Sequence, residues 1–199
     1  MASRVAHQTA APALVVAARA SEPFVAHRCH TLSAILRTLL DSDRKRMKDI
    51  VVVDIDAPRD DVVALYADPR NNTKWMEDIN RCEPVSGEQG TPGSVYRLIP
   101  KRGSMHFIAT VVSRNLPNEL RLKLDSTTVA VDVRGRFSTL PNSRTRLVSE
   151  EVFNFKRVWN KVVGLLARSA IHKAHRNHID AFKRFAERHA AERSTTQPP

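Results

Sequence analysis

The chain of 199 residues is long enough for one ordinary domain with an extension, and its 42% hydrophobic content favours a globular core over wholesale disorder. The formal net charge of +11 belongs to the two ends: residues 1–46 hold 7 basic and 3 acidic side chains, and residues 153–199 hold 10 and 3. Residues 47–152 carry 15 of each sign. This neutral centre argues against a central domain that binds nucleic acid, because such a domain would carry a basic stripe on its surface.

The two cysteines predict no metal or disulfide site, and they indicate a reducing compartment. Cys29 and Cys82 lie in different regions of the sequence, so they predict neither a metal site nor a disulfide framework, and they suit reducing conditions. No segment approaches the ~20 apolar residues of a membrane-spanning helix. We expect a soluble cytoplasmic protein, or an organellar one if the N-terminal extension is a transit peptide.

The extension, residues 1–46, differs from the rest of the chain. It is rich in Ala, Arg and Ser, and its first acidic residue is Glu22. This composition suits an organellar transit peptide, whereas the apolar run at residues 10–18 is too diluted by alanines for a secretory signal. Apolar residues at helical spacing predict a short helix at residues 31–40. Three interpretations of this segment remain open: a targeting leader, a dispensable tail, or a start codon assigned too far upstream.

A regular domain is predicted from Met47 to Glu192, followed by a disordered tail at residues 193–199. Ile50–Ile55 is rich in β-branched residues and predicts a strand. Pro58 suits the first position of a helix. That helix ends at Asp68, because the residue before a proline avoids the helical region. The polar stretch that follows predicts a second short helical segment and contains Trp75, a large aromatic that is rarely left in water without a reason.

Six further strands and a long helix complete the domain. The predicted strands are Asn80–Val85, Gly93–Ile99, Ser104–Ser113, Leu120–Asp125, Val129–Phe137 and Thr145–Phe155. Polar and apolar residues alternate most clearly in Leu120–Asp125 and Val129–Phe137. This alternation indicates an antiparallel meander with one solvent-exposed face and one buried face. The helix is predicted from about Trp159 to Glu192, with a bend near Gly164 where its apolar stripe changes direction.

The same segments resemble a known family. The stretches "VVVDIDAPRDDVVALYADPRNNTKW", "GTPGSVYRLI", "ATVVSRNLPNELRLKL", "SRTRLVSEEVFNF" and "HRNHIDAFKRFAER" are similar to the polyketide cyclase/dehydrase-like branch of the START/Bet v 1-like (SRPBCC) superfamily. The resemblance covers about residues 50–188. It implies an α+β helix-grip fold: a seven-stranded antiparallel sheet wrapped around a long C-terminal helix, with two short helices after the first strand.

The resemblance also implies an internal cavity between the sheet and the C-terminal helix. Trp75 would then either anchor the core or contact a ligand directly, and both roles stay open. The predicted ligand-binding residues are Trp75, Tyr96, Leu98, Phe107, Leu122, Leu124, Val131, Val133, Phe153, Ile171, His175, His178 and Phe182.

Candidates for acid/base chemistry are few. His175 and His178 lie three residues apart on the apolar stripe of the long helix, and one of them paired with Glu151 or Glu150 would suit enol chemistry on a bound polyketone. Adjacent strand residues point to opposite faces, so one of the two glutamates must face the concave side. Ordinary buried or partly solvated histidines are the competing interpretation.

The sequence lacks a local Ser/His/Asp motif, a Gly-rich phosphate loop, HExxH and CxxC. We therefore expect no metal and no cofactor. Four strand arginines are candidates to hold a ligand carboxylate or phosphate if one of them faces inward. They are Arg97, Arg134, Arg136 and Arg146.

The resemblance implies a function, and the scarcity of acid/base candidates favours a binding protein for a hydrophobic small molecule or lipid over an enzyme. The alternative is a cyclase, aromatase or dehydrase that acts on a polyketide-like substrate by general acid/base catalysis, and a further alternative is a ubiquinone-binding chaperone. No nucleic-acid partner is expected. The basic C-terminal helix allows transient contact with an anionic membrane, although a solvated helix face is the simpler interpretation.

Overall fold

The computed structural model describes residues 46–103, 105–156 and 166–196, so residues 1–45, Ser104, residues 157–165 and residues 197–199 lie outside the described part. The predicted helix at residues 31–40 and the predicted bend near Gly164 belong to these outside segments. The described elements are β1 (Met47–Ile55), α1 (Arg59–Ala67), a 3-10 turn (Pro69–Asn71), α2 (Asn72–Trp75), β2 (Ile79–Ser86), β3 (Val95–Pro100), β4 (Phe107–Asn115), β5 (Glu119–Asp125), β6 (Val129–Leu140), β7 (Arg144–Phe155) and α3 (Arg168–Thr196).

The seven strands form one antiparallel sheet in the order β1-β7-β6-β5-β4-β3-β2. Consecutive strands are neighbours from β2 to β7, and β1 joins the far side by pairing with β7. With α1 and α2 inserted after β1 and the long α3 at the C-terminal end, this is the predicted helix-grip fold, which is confirmed. α3 extends to Thr196, past Glu192, so it includes the first residues of the segment predicted as a tail.

Alternation along each strand separates a buried concave face from an exposed convex face. In β6, residues Val129, Val131, Val133, Gly135 and Phe137 are buried, and the residues between them are at least partly exposed. The buried set continues across the sheet and meets the buried face of α3, which includes Ile171, Ala174, Ile179 and Phe182. One apolar core therefore lies between sheet and helix.

Polar side chains of α3 fix the helix against the edge strand β1. Arg176 Nη1 donates a hydrogen bond to the Val52 carbonyl at 3.0 Å, and Lys183 Nζ donates to the Asp54 carbonyl. Glu187 Oε1 accepts from the Asp56 backbone N–H at 2.9 Å. An edge strand otherwise exposes unpaired backbone groups, so these contacts give partners to two carbonyls of the edge and to the N–H just after it, and they hold α3 above β1.

Candidate functional site

A cluster of polar side chains interrupts the apolar concave face where β1 and β7 run beneath α3. The strand register pairs Asp49 of β1 with Glu151 of β7, and Val51 with Ser149. Alternation directs Asp49, Ser149 and Glu151 to the same face as the buried Leu147 and Phe153. α3 brings histidines over this row, so residues distant in sequence meet in one place.

His175 lies at the centre of the cluster and is only 1% exposed. Its Nδ1 lies 2.7 Å from Asp49 Oδ2, and its Nε2 lies 2.9 Å from Ser149 Oγ. Burial raises the pKa of Asp49, but hydrogen bonds from His175 and His172 outweigh burial and lower it overall. Asp49 is therefore an ionised acceptor, which requires that the proton on His175 Nδ1 point toward it.

Tyr66 of α1 extends the cluster on the side opposite Asp49. Burial, reinforced by the charge of Glu151, raises the pKa of the Tyr66 hydroxyl well above its ordinary value of 10.0, and the neighbouring Ser149 offsets this only in part. The phenol thus stays protonated. Gly135 of β6 makes room for the ring, because a Cβ at this position would lie 3.2 Å from Tyr66 Cε1.

Glu151, like Asp49, has histidine contacts but no ion pair with an Arg or Lys side chain among the described residues. Its side chain is 13% exposed, and its ion-pair contact is with His175 Nε2 at 3.8 Å. Glu150 faces the other side of the sheet, where Lys48 Nζ lies 2.9 Å and Arg136 Nη2 3.6 Å from its carboxylate. The structure thereby decides which of the two adjacent glutamates belongs to the interior.

His178 forms a second histidine–carboxylate pair, with its Nε2 2.9 Å from Asp78 Oδ1. Burial lowers the pKa of His178, but the hydrogen bond and charge of Asp78, with further help from Glu151 and Glu77, raise it overall. Burial raises the pKa of Asp78, and the contacts with His178 lower it overall. Both shifts favour a charged pair that joins α3 to the segment before β2.

The four predicted arginines do not contribute to this interior. Arg134 binds Glu119 through Nη2 at 2.5 Å, and Arg146 binds Asp54 through Nε at 2.7 Å. Arg136 contacts the outward Glu150, and Arg97 is exposed. All four occupy strand positions that alternate with the buried residues, so the prediction that one of them faces a ligand has no support in this arrangement.

The ring of Trp75 packs in the apolar core, and its indole N–H has no hydrogen-bond partner among the described residues. It is 5% exposed, and its ring lies 5.9 Å from Tyr66 and 5.3 Å from Phe182, measured between centroids. Its indole Nε1 is buried without a hydrogen-bond partner in the described part of the chain. A buried donor left unpaired costs roughly 1–3 kcal/mol, so a ligand oxygen at this position would be favourable.

The other predicted ligand-binding residues also lie inside. Apart from Leu122 and His178, which are partly exposed, every residue of the predicted set is buried. Tyr96 differs from the rest because its hydroxyl already accepts a hydrogen bond from the Gly90 N–H at 2.6 Å. The ligand-binding role of the whole set stays a prediction.

Tyr66, Asp49, Ser149 and Asp78 are part of the cluster but absent from the predicted site. The absence of a local Ser/His/Asp motif concealed that Ser149, His175 and Asp49 meet in space, up to 126 positions apart in sequence. Each of the two histidines pairs with an aspartate contributed by another element, His175 with Asp49 and His178 with Asp78. The alternation that buries Leu147 and Phe153 was the available signal for Ser149.

The described ranges contain neither a metal-ion site nor a membrane-spanning helix. No group of three or more His, Cys, Asp or Glu side chains in residues 46–103, 105–156 and 166–196 is arranged to hold a metal ion. In the same part of the chain, none of the helices has the length and apolar character needed to cross a membrane.

Comparison with known proteins places the chain in a family. The sequence profile of the family described as polyketide cyclase/dehydrase and lipid transport matches residues 50–187. The chain belongs to this family, and its resemblance to the START/Bet v 1-like superfamily is confirmed. Membership supports a role in binding a hydrophobic ligand or in cyclase chemistry, without deciding between them. No curated protein sequence matches the chain.

Solved structures agree on the fold. The Zhui aromatase/cyclase from Streptomyces sp. R1128 is 17% identical with a TM-score of 0.61, over 72% of this chain and 95% of the other. The hypothetical protein jhp0584 from Helicobacter pylori is 14% identical with a TM-score of 0.59, over 84% and 99%. Norcoclaurine synthase from Thalictrum flavum is 12% identical with a TM-score of 0.53, over 73% and 98%. At these identities the likeness shows the fold alone.

Proposed function

We propose that the protein binds a hydrophobic small molecule between the concave face of the sheet and α3. The observation that carries the proposal is an apolar concave wall with one group of converging polar side chains, namely Tyr66, Glu151, His175 and His178. Ligand sites in proteins have this composition: apolar burial supplies affinity, and a few polar groups orient the ligand. Family membership supports the same class of ligand.

The composition of the wall defines the ligand that it suits. Apolar contact contributes roughly 25 cal/mol per Å² buried, so most of the affinity would come from a hydrocarbon or aromatic body. The indole N–H of Trp75, which has no hydrogen-bond partner among the described residues, and the protonated Tyr66 hydroxyl are donors, and they favour an oxygen atom at one end of that body. A carbonyl, enol or phenol oxygen fits both donors better than a cation or a phosphate does.

Native mass spectrometry of freshly purified protein tests the proposal. We expect either a small molecule that co-purifies with the chain and is released by organic extraction, or uptake of at least one member of a panel of fatty acids, quinones and aromatic polyketides. A chain that is consistently ligand-free and takes up none of these compounds would contradict the proposal. The same panel separates lipid, quinone and polyketide binding from one another.

Acid/base catalysis of the cyclase or dehydrase type is the second candidate function. The surroundings of Glu151 favour it: this partly exposed carboxylate has histidines and a tyrosine as neighbours and, in the part of the chain that the structure describes, no Arg or Lys partner. A carboxylate of this kind suits removal of a proton from a carbon next to a carbonyl group.

An enolisable ketone distinguishes the enzyme from a carrier. In D₂O, ¹H NMR follows the exchange of the methyl protons of 2-acetylnaphthalene in the presence of the protein. We expect faster exchange with the natural chain than with E151Q, while both bind the compound. Equal exchange rates for the two proteins would reject catalysis by Glu151 and leave ligand binding standing.

A further inference from the structure

Glu151 is a partly exposed carboxylate that accepts no hydrogen bond from the described residues. Its side chain is 13% exposed, and its contact with His175 Nε2, at 3.8 Å, is too long for a hydrogen bond. Both nitrogens of His175 have closer partners, Asp49 Oδ2 at 2.7 Å and Ser149 Oγ at 2.9 Å. The oxygens of Glu151 are therefore available to a donor on a ligand, whereas the nitrogens of His175 are not.

Glu151 lies at the polar end of a row of side chains that crosses the concave face. The strand register places it beside Val133 of β6, Val133 beside Leu122 of β5, and Leu122 beside Val111 of β4. Alternation directs all of these side chains to the same face of the sheet. A carboxylate is thus followed by three apolar side chains on successive strands, which suits an elongated ligand with one polar end.

Leu122 marks the accessible part of this row. It is partly exposed, although Leu120 and Leu124, its neighbours on the same face of β5, are buried. Neighbouring strands lie about 4.8 Å apart, so two strand spacings put Glu151 and Leu122 about 10 Å apart. This span suits a body of two fused rings that lies over Val133 and carries its polar group at the Glu151 end.

A hydroxyl group is the donor that this position suits. A carboxylate only accepts hydrogen bonds, so an ether or ketone oxygen cannot pair with it. A phenol or enol hydroxyl donates to a carboxylate in a charge-assisted hydrogen bond, which is stronger than a bond between neutral groups. An ammonium group would also donate, but its burial against an apolar wall costs far more than the burial of a neutral hydroxyl.

We propose that Glu151 determines the specificity of the ligand site by accepting a hydrogen bond from a phenol or enol hydroxyl group of the ligand. The inference rests on the proposed ligand site and narrows the group that it recognises from an oxygen atom to a hydroxyl. Val133 and Leu122 contact the body of the ligand. The adjacent Glu150 takes no part, because its carboxylate faces the convex side and is paired there with two basic side chains.

Isothermal titration calorimetry with three naphthalene derivatives tests the assignment. 2-Naphthol carries a hydroxyl donor, 2-methoxynaphthalene has the same ring system without a donor, and 2-(aminomethyl)naphthalene carries an ammonium group. We expect the natural chain to bind the naphthol about tenfold more tightly than the ether, the factor that one hydrogen bond to a charged group supplies. The naphthol should also bind more tightly than the amine.

Three variants assign the preference to a single carboxylate. E151L removes the acceptor and should reduce the preference for the naphthol over the ether to less than about twofold. E151Q keeps the shape of the side chain and a neutral acceptor, so a preference of about threefold should remain, because a neutral hydrogen bond is roughly half as strong. E151Q therefore tests the contact even if E151L does not fold. E150Q is the matched control on the next residue and should keep the full preference.

The outcomes distinguish the role of Glu151 from ligand binding itself. Equal affinities for the naphthol and the ether, tighter binding of the amine, or a preference that survives in E151L or is lost in E150Q would overturn the role of Glu151 and leave ligand binding standing. The same holds if none of the three compounds binds while a fatty acid, quinone or polyketide does. If no compound of either set binds, the proposed function fails as well.

Nuclear Overhauser effects check the position of the bound ring. We expect contacts between the ring protons of 2-naphthol and the methyl groups of Leu122, because the ring should lie over the row that leads away from Glu151. Contacts with Val112 on the convex face instead would overturn the placement.

Discussion

The pair of His178 and Asp78 makes a sharp prediction about stability and pH. Replacing Asp78 with asparagine removes the negative charge and preserves the shape of the side chain. The exposed fractions of the two side chains are 22% and 24%, so solvent screens the pair only in part. A hydrogen bond to a charged group contributes roughly 1.5–3 kcal/mol. After a discount for partial exposure, we expect D78N to lower the free energy of unfolding by about 1.5 kcal/mol where both groups are charged.

The two pKa shifts define the pH window. The pKa of His178 is raised above 6.5, so its contribution is fully present below pH 6.5 and is lost as pH rises through the folded-state pKa. The pKa of Asp78 is lowered below 3.8, so its contribution is present above pH 3.8 and is lost as pH falls through the folded-state pKa. The cost of D78N should therefore be greatest between these two values and smaller in alkaline solution.

Urea denaturation at about pH 5.5 and about pH 9, which lie on either side of the ordinary histidine pKa, measures this cost. D180N is the matched control, because Asp180 is 39% exposed and lies 3.9 Å from Arg176 in an (i, i+4) pair on the same helix. It should change the free energy of unfolding by less than about 0.5 kcal/mol. A D78N cost that is equal at the two pH values would refute the charged-pair explanation.

Three further changes test the packing. A shortened chain that begins at Met47 should keep nearly the same melting temperature, whereas a fall of more than about 8 °C would show that residues 1–46 pack on the domain. F182A should destabilise by roughly 3–5 kcal/mol, because the ring is fully buried against Tyr66 and Trp75; a chemical-denaturation cost below about 1 kcal/mol would be inconsistent with that burial. G135A should cost about 1–3 kcal/mol, because its Cβ would press on Tyr66; an unchanged denaturation midpoint would show that the ring moves freely.

The fold was predictable because each of its signals is local. Alternation in β5 and β6, the proline after Asp68 and the apolar stripe of α3 depend on neighbouring residues alone. They indicated the strand–helix opening and the meander without any knowledge of the register. Element ends were less accurate, since β6 continues to Leu140 and the first helix begins at Arg59, with Pro58 as its N-cap.

The site was less predictable because pairing between distant strands creates it. The position of His175 on the apolar face of the helix followed from helical spacing. Its partner Asp49 depends on the pairing of β1 with β7, which no local pattern specifies. Alternation required either Glu150 or Glu151 to face the interior. Choosing Glu151 also requires knowing which face of β7 is buried, and the structure shows that it is the face of Leu147 and Phe153. Tyr66 fits its place only because Gly135 lies opposite.

The affinity of 2-acetylnaphthalene for two tryptophan variants tests the central claim that a ligand lies on the concave face. L122W would fill the space at a partly exposed position of that face, whereas V112W places the same side chain on the convex face, where Val112 is 50% exposed. Loss of the contact surface should weaken binding by roughly tenfold or more in L122W and leave V112W within about twofold of the natural chain. Equal affinities for the two variants would contradict binding on the concave face.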